Sequence, residues 1–183
     1  VALNCVANGK LVKENFFDNI WIQPAAGDAG GSLGAALAFW HLEAGKERNI
    51  NQEDSMKGSY LGTEYSHSQI LDDLNNLGAK FDVLEYDEII DKTAECLSNG
   101  DAIGWFQGRM EFGPRALGNR SILGDPRSEK MQKNLNLKVK FRESFRPFAP
   151  SILIDDVQEW FDLKSISPYM LIVANINFKK KIE

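Results

Sequence analysis

The stretch SHSQILDDLNNLGAKFDVLEYDEIIDKTAECLSNGDAIGWF, residues 66–106, decides the fold class of this chain. Ile70, Leu71, Leu74 and Leu77 recur at helical spacing, so Ser66–Leu77 is predicted as a helix stopped by Gly78. Phe81–Tyr86 reads as a strand. Asp87–Ser98 reads as a second helix, capped by Asp87 and ended at Asn99-Gly100. Ala102–Phe106 reads as a further strand. Helix, strand, helix and strand in alternation predict an α/β (α+β) chain.

C-terminal to this stretch lies GWFQGRMEFGPRALGNRSILGDPR, residues 104–127, then KVKFRESFRPFAPS, residues 138–151. Residues 107–127 lack periodicity and are predicted to form one long ordered loop, a length that usually serves function. Ser128–Leu137 follows as a short helix capped by Ser128, Phe148–Ile154 as a strand, Asp155–Phe161 as a helix, and Tyr169–Ile176 as a last strand. Six of the seven arginines fall between Arg109 and Arg146, and residues 101–150 carry a local charge of +5 within a chain of net charge −5. The guanidinium group is a rigid fork of donors suited to carboxylate or phosphate oxygens. Gly108, Gly113, Gly118 and Gly124 allow close backbone approach to a ligand. Two readings stand. One is a solvated basic loop whose arginines pair with Glu111, Asp125 and Glu143. The other is an anion pocket, which the interleaved Phe106, Phe112, Phe141, Phe145 and Phe148 favour because aromatic walls would fix the arginines in direction. Single-stranded nucleic acid also suits arginine and aromatic side chains together, against the negative net charge.

On the N-terminal side, the polar, aperiodic KERNINQEDSMKGSY, residues 46–60, is read as a linker and domain boundary. Before it, VALNCVA (1–7) reads as a strand, Asn8-Gly9 as a turn with Lys10–Val12 returning, and NIWIQP (19–24) as a strand ended by Pro24. Residues 25–45 read as glycine-rich loop, then helix, then a Gly45 cap. QPAAGDAGGSLGAAL (23–37) has the order needed to hold a phosphate at a helix N-terminus. It lacks the Walker lysine and the dinucleotide glycine spacing. Asp28 either caps the helix or holds a metal that touches phosphate.

The 183 residues include 43% hydrophobic and 26% charged side chains, which are globular values that exclude wholesale disorder. The longest apolar stretches, residues 35–39 and 169–174, are far short of the ~20 residues a membrane-spanning helix needs. No secretory leader is visible, so a cytoplasmic location and reduced Cys5 and Cys96 are expected. Neither cysteine forms a zinc motif; both read as core residues, and His41 and His67 as ordinary half-exposed side chains.

VALNCVANGKL, QPAAGDAGGSLGAAL, GRMEFGPRALGNRS and KFRESFRPFAPS together resemble the bacterial O-carbamoyltransferases, which include the nodulation-factor, cephamycin and tobramycin enzymes. The resemblance runs from Val1 to about residue 176. It implies residues 1–50 as the C-terminal end of an actin-like ATPase lobe, with its tail strands and helix. It implies residues 51–183 as the front part of a YrdC-like domain with a twisted open sheet and helices. The implied chemistry forms carbamoyl adenylate from carbamoyl phosphate and ATP, then passes the carbamoyl group to a hydroxyl of a sugar-type or antibiotic acceptor. By the same resemblance Lys140 and Arg142 match the Lys-x-Arg signature of YrdC-like anion sites, and Asn4, Asn8, Gly27, Gly30 and Gly31 border the nucleotide; Arg109, Arg115, Arg120, Lys140, Arg142 and Arg146 of the arginine segment are expected to line the donor site. Asp28 matches a ligand of a divalent metal, iron or magnesium, whose histidine ligands are not in this sequence. The chain is therefore expected to be a piece of a longer protein, inactive alone and dependent on its N-terminal lobe. The alternative is a YrdC-like module that binds RNA or serves tRNA threonylcarbamoylation.

Overall fold

The computed structural model describes residues 1–50 and 53–181. The fold is α+β. Its elements are α1 (Cys5–Glu14), α2 (Asp28–Ala38), α3 (His67–Asn76), α4 (Tyr86–Ser98), β1 (Ile103–Phe106), β2 (Arg120–Leu123), α5 (Met131–Asn134) and α6 (Val157–Trp160). They fall into two compact units. The first gathers residues 1–62, 111–117 and 151–183, and the second residues 63–110 and 118–150.

In the first unit the N-terminal strand and turn are replaced by a helix. Asn4 Oδ1 accepts the Ala7 N–H at 3.1 Å, and Asn15 closes α1 in the left-handed conformation at φ 53°. Asn8-Gly9 sits inside that helix because both residues meet the segment predicted as the last strand. Asn8 Nδ2 donates to the carbonyls of Ala2 (2.8 Å) and Leu171 (3.0 Å). A Cβ on Gly9 would overlap the Val173 carbonyl. Val173 N donates to Cys5 O at 3.2 Å, so residues 169–176 bond a helix and not a sheet. Their one ladder contact is an isolated bridge between Ile176 and Phe161. Residues 19–24 form no strand either. Gln23 turns the chain, its Oε1 accepting the Ala25 N–H at 2.8 Å and its carbonyl the Ala26 N–H at 3.0 Å. Pro24, Ala25, Met56 and Leu171 are buried apolar residues here, beside buried Asn8, Ser59 and Glu111.

The expected loop, helix and glycine cap of residues 25–45 are present. α2 runs into one π-helical turn, Phe39–Glu43, and Gly45 closes it at φ 62°.

In the second unit α3 is present as predicted, and Ser66, its predicted first residue, is the N-cap: Ser66 Oγ accepts Gln69 N–H, and Gln69 Oε1 accepts Ser66 N–H. α4 begins one residue before its predicted start, with Glu85 as cap and Glu88 Oε2 accepting the Glu85 N–H at 3.1 Å; Asp87 lies within its first turn. Residues 81–85 form no strand. β1 pairs antiparallel with β2, Ile103 opposite Leu123 and Phe106 opposite Arg120. The predicted loop 107–127 thus supplies the partner strand, and the sheet has two strands among the described residues. The 128–137 helix is shorter than predicted. Lys130 caps α5, and a π turn follows over Leu135–Val139. Gly124 lies where a Cβ would press on Met131 and Leu135, the buried apolar residues of this unit.

Residues 148–153 form no strand, and α6 is entered by a 3₁₀ turn at Ile154–Asp156. Cys5 and Cys96 are free thiols and half-buried, not core residues. No described helix is long and apolar enough to cross a membrane.

Candidate anion site

Two sequence motifs meet in the first unit, at Ala25. This residue is 0% exposed. A Cβ on Gly30 would overlap the Ala25 carbonyl, so the first turn of α2 can press against the loop only with glycine there. Gly113, at φ 118°, brings its backbone to the other side. Its Cβ position lies 3.3 Å from the Ala25 Cβ. The glycine-rich turn and the Phe-Gly-Pro-Arg run of the arginine segment are therefore packed on one alanine.

Asp28 is the first residue of α2, exposed, with Gly27 as the N-cap. Its carboxylate complements the positive end of the helix. Gly30 N donates to Gly27 O at 3.1 Å, and Gly31 is open to solvent. Among the described residues no group of three His, Cys, Asp or Glu side chains could hold a metal. One carboxylate is too few donors for a divalent ion, so the residues present do not fit a metal by themselves. Asn4 and Asn8 hold backbone groups of α1 and of the 171–173 segment, as described above.

Arg115 stands in the same unit. Of its five donors, Nη2 makes a long bond of 3.4 Å to Leu3 O, and Nε is buried without an acceptor among the described residues. Glu111 is 4% exposed, and its Oε1 accepts the Leu117 N–H at 2.6 Å, so it closes the 111–117 loop from inside.

The other candidate cations belong to the second unit. Arg109 pairs with Glu64 at 2.8 Å, both exposed. Arg120 lies in β2, half-buried. Lys140 ends the π turn, its N–H donating to Leu135 O at 2.8 Å. Arg142 and Arg146 are tied by Asn136, which is 0% exposed. Asn136 Oδ1 accepts Arg142 Nε at 2.7 Å, and its Nδ2 donates to Arg146 O at 2.8 Å and to Ser144 O at 3.1 Å. The Arg142 guanidinium also lies over the Phe148 ring, 5.0 Å from its centre.

The solvated-loop reading is met in part. Arg127 forks onto Asp125, and Arg146 pairs with Glu143 at 3.1 Å. Such exposed pairs contribute little. Arg142 and Arg115 are different, held by a buried amide and by backbone. Sequence reasoning missed Ser59, Asn136 and the buried role of Glu111. Glu111 lies within GRMEFGPRALGNRS, where the solvated-loop reading makes it a surface countercharge. KNLNLK, around Asn136, gave no sign of burial.

Two family models match the chain. The one described as carbamoyltransferase C-terminus covers residues 94–183, and the one described as carbamoyltransferase N-terminus covers residues 1–37. The Synechocystis protein sll1178 is 55% identical over 178 residues, which is 96% of this chain and 29% of that protein. The nodulation protein NolO of Bradyrhizobium diazoefficiens is 43% identical over 184 residues, 98% of this chain and 33% of its own length. The 3'-hydroxymethylcephem-O-carbamoyltransferase of Streptomyces clavuligerus is 32% identical over 169 residues, 92% of this chain and 30% of that enzyme. The chain thus spans about a third or less of the relatives it matches. With both family models in their expected order along it, the chain belongs to the carbamoyltransferase family.

Proposed function

We propose that this chain carries part of the donor site of an ATP-dependent O-carbamoyltransferase. The observation that carries the reading is the convergence of the glycine-rich start of α2 and the Arg115 loop on Ala25. A helix N-terminus rich in glycine and a guanidinium without a carboxylate partner among the described residues are both receptors for phosphoryl oxygens. Carbamoyl phosphate and ATP bring several such oxygens together. In the proposed reaction water attacks the phosphorus of carbamoyl phosphate and the P–O bond to the carbamoyl group breaks, releasing inorganic phosphate and carbamate; a carbamate oxygen then bonds to the α-phosphorus of ATP as pyrophosphate leaves. An acceptor hydroxyl then attacks the carbamoyl carbon, gives up its proton and expels AMP. Arg109, Arg115, Arg120, Lys140, Arg142 and Arg146 are the proposed cations for these charges. Removing one preorganised donor of this kind typically costs about 3 kcal/mol of transition-state stabilisation. Asp28 is the proposed contribution to a metal whose other ligands lie elsewhere. The name of the similar 3'-hydroxymethylcephem-O-carbamoyltransferase supports a hydroxyl-bearing small molecule as acceptor.

The test is calorimetric titration with carbamoyl phosphate, with phosphate and acetyl phosphate as controls, followed by pyrophosphate release from the full-length protein. Selective binding that Arg115→Ala and Arg142→Ala each weaken is expected. Binding as tight as the parent's in both variants overturns the site assignment.

A further inference from the structure

Three successive residues with left-handed backbone lie at the end of the 46–60 stretch that the sequence marks as a linker. Lys57, Gly58 and Ser59 take φ of 49°, 68° and 65° in succession. Left-handed backbone is unfavourable for residues other than glycine and is held only where surroundings over-determine it. Here three groups do so. Asp54 accepts the N–H of Met56 at 3.0 Å and of Gly58 at 2.9 Å, and the Tyr169 hydroxyl donates to the same carboxylate. Gly58 is also required by space, since a Cβ there would lie 2.9 Å from the Tyr60 ring.

The turn grips the Arg115 loop at both ends. Phe112 N donates to Ser59 O at 2.6 Å, and the Tyr60 hydroxyl donates to Leu117 O at 2.9 Å. Ser59 is 1% exposed, and its hydroxyl has no partner among the described residues. Burying an unpaired hydroxyl on left-handed backbone is a cost that folding alone does not explain. Between the two grips stands Arg115, with its buried Nε–H unused and Nη2 on one long bond.

We infer that the Lys57–Tyr60 turn is a positioning element for the anion site: it fixes residues 111–117 so that Arg115, whose Nε–H has no acceptor among the described residues and whose Nη2 makes only a long bond to Leu3 O, is held ready for a phosphate-type oxyanion. Ser59 acts through its carbonyl, and Tyr60 through its hydroxyl. Neither is a catalytic residue. The inference rests on the donor-site reading above and names the device that holds one of its cations.

The experiment compares the parent chain with Tyr60→Phe, Gly58→Ala and Arg115→Lys. Two readouts are used: hydrogen exchange of the Arg115 Nε–H by ¹⁵N NMR, assigned with Arg115→Lys, and calorimetric binding of carbamoyl phosphate. Tyr60→Phe keeps the ring and removes one bond. It is expected to speed Nε–H exchange and weaken carbamoyl phosphate about fivefold, the equivalent of one hydrogen bond. Gly58→Ala, which forces both a left-handed Cβ and a ring contact, is expected to weaken binding about tenfold or more. Exchange and affinity unchanged in Tyr60→Phe, with the variant folded, overturn the positioning role. If Tyr60→Phe speeds exchange but the parent does not bind carbamoyl phosphate, the turn does position Arg115 and the donor reading is what fails.

Discussion

Replacing Asn136 tests how the second cationic cluster is built. Its side chain is 0% exposed and makes three bonds: to Ser144 O at 3.1 Å, to Arg146 O at 2.8 Å, and from Arg142 Nε at 2.7 Å. Asn136→Ala deletes all three at once. Two neutral bonds at about 1 kcal/mol each and one charge-assisted bond at about 2 kcal/mol give a loss near 4 kcal/mol. That is a large share of the roughly 5–15 kcal/mol that holds a domain folded. Asn136→Asp keeps the volume and the Arg142 bond, but it sets a carboxylate against two carbonyl oxygens. It is expected to be destabilising at neutral pH and to recover as the pH falls and the carboxyl takes up a proton that it can donate. The assay is urea unfolding, with amide exchange at Lys140 and Arg142 as the local readout, because their N–H groups donate to Leu135 O and Asn136 O. A loss below about 1 kcal/mol, which is the worth of one ordinary hydrogen bond, with those amides still protected, refutes the argument that Asn136 organises Arg142 and Arg146.

Gly30→Ala places a methyl group into the Ala25 carbonyl; overpacking of this kind costs about 1–3 kcal/mol, and both the urea midpoint and nucleotide binding should fall. Gly113→Ala, at φ 118°, should do the same, whereas Gly34→Ala, with nothing within 4 Å, should be neutral or stabilising by thermal melting. Burial raises the Asp54 carboxyl, but bonds from Tyr169, Gly58 and Met56 outweigh it and hold the group below its usual 3.8. Its contribution is therefore present above that value and lost as the pH falls through the lowered one. Acid unfolding that is shallower in Tyr169→Phe than in the parent would show it. Burial and the Asp54 carboxylate push the Tyr169 phenol up to about 12. That stability is complete below pH 10 and lost as the pH rises through 12, so one tyrosine should ionise late in an absorbance titration and vanish from it in Tyr169→Phe. Arg142→Lys should weaken carbamoyl phosphate binding, because an ammonium cannot both meet Asn136 Oδ1 and lie flat over Phe148.

The sequence by itself determined the local features whose causes are local. The start of α3 near Ser66, its apolar period, the extent of α4 to Asn99-Gly100, the β1 strand and the glycine-rich entry to α2 were all legible, because each depends on residues within a few positions. The family was legible for a different reason: long runs such as GRMEFGPRALGNRS are specific as strings. Strands could not be read the same way. A strand exists only with a partner, and Phe81–Tyr86 and Tyr169–Ile176 have the right composition but, among the described residues, no ladder beyond the single Ile176–Phe161 bridge. The end of VALNCVA became the start of a helix because Asn4 and Asn15 closed its ends, Leu171 O accepted from Asn8 Nδ2, and Val173 N–H donated to Cys5 O. The sequence placed the arginines in one segment, but only tertiary packing decided which of them have work to do within the protein. Arg127 is matched by Asp125 two residues away, a pairing visible in the string. Arg115 is held by a turn more than fifty positions upstream, and Arg142 by an amide whose burial nothing in KNLNLK announces. Contacts over such separations arise from how loops close on one another, and one-dimensional patterns carry no record of that.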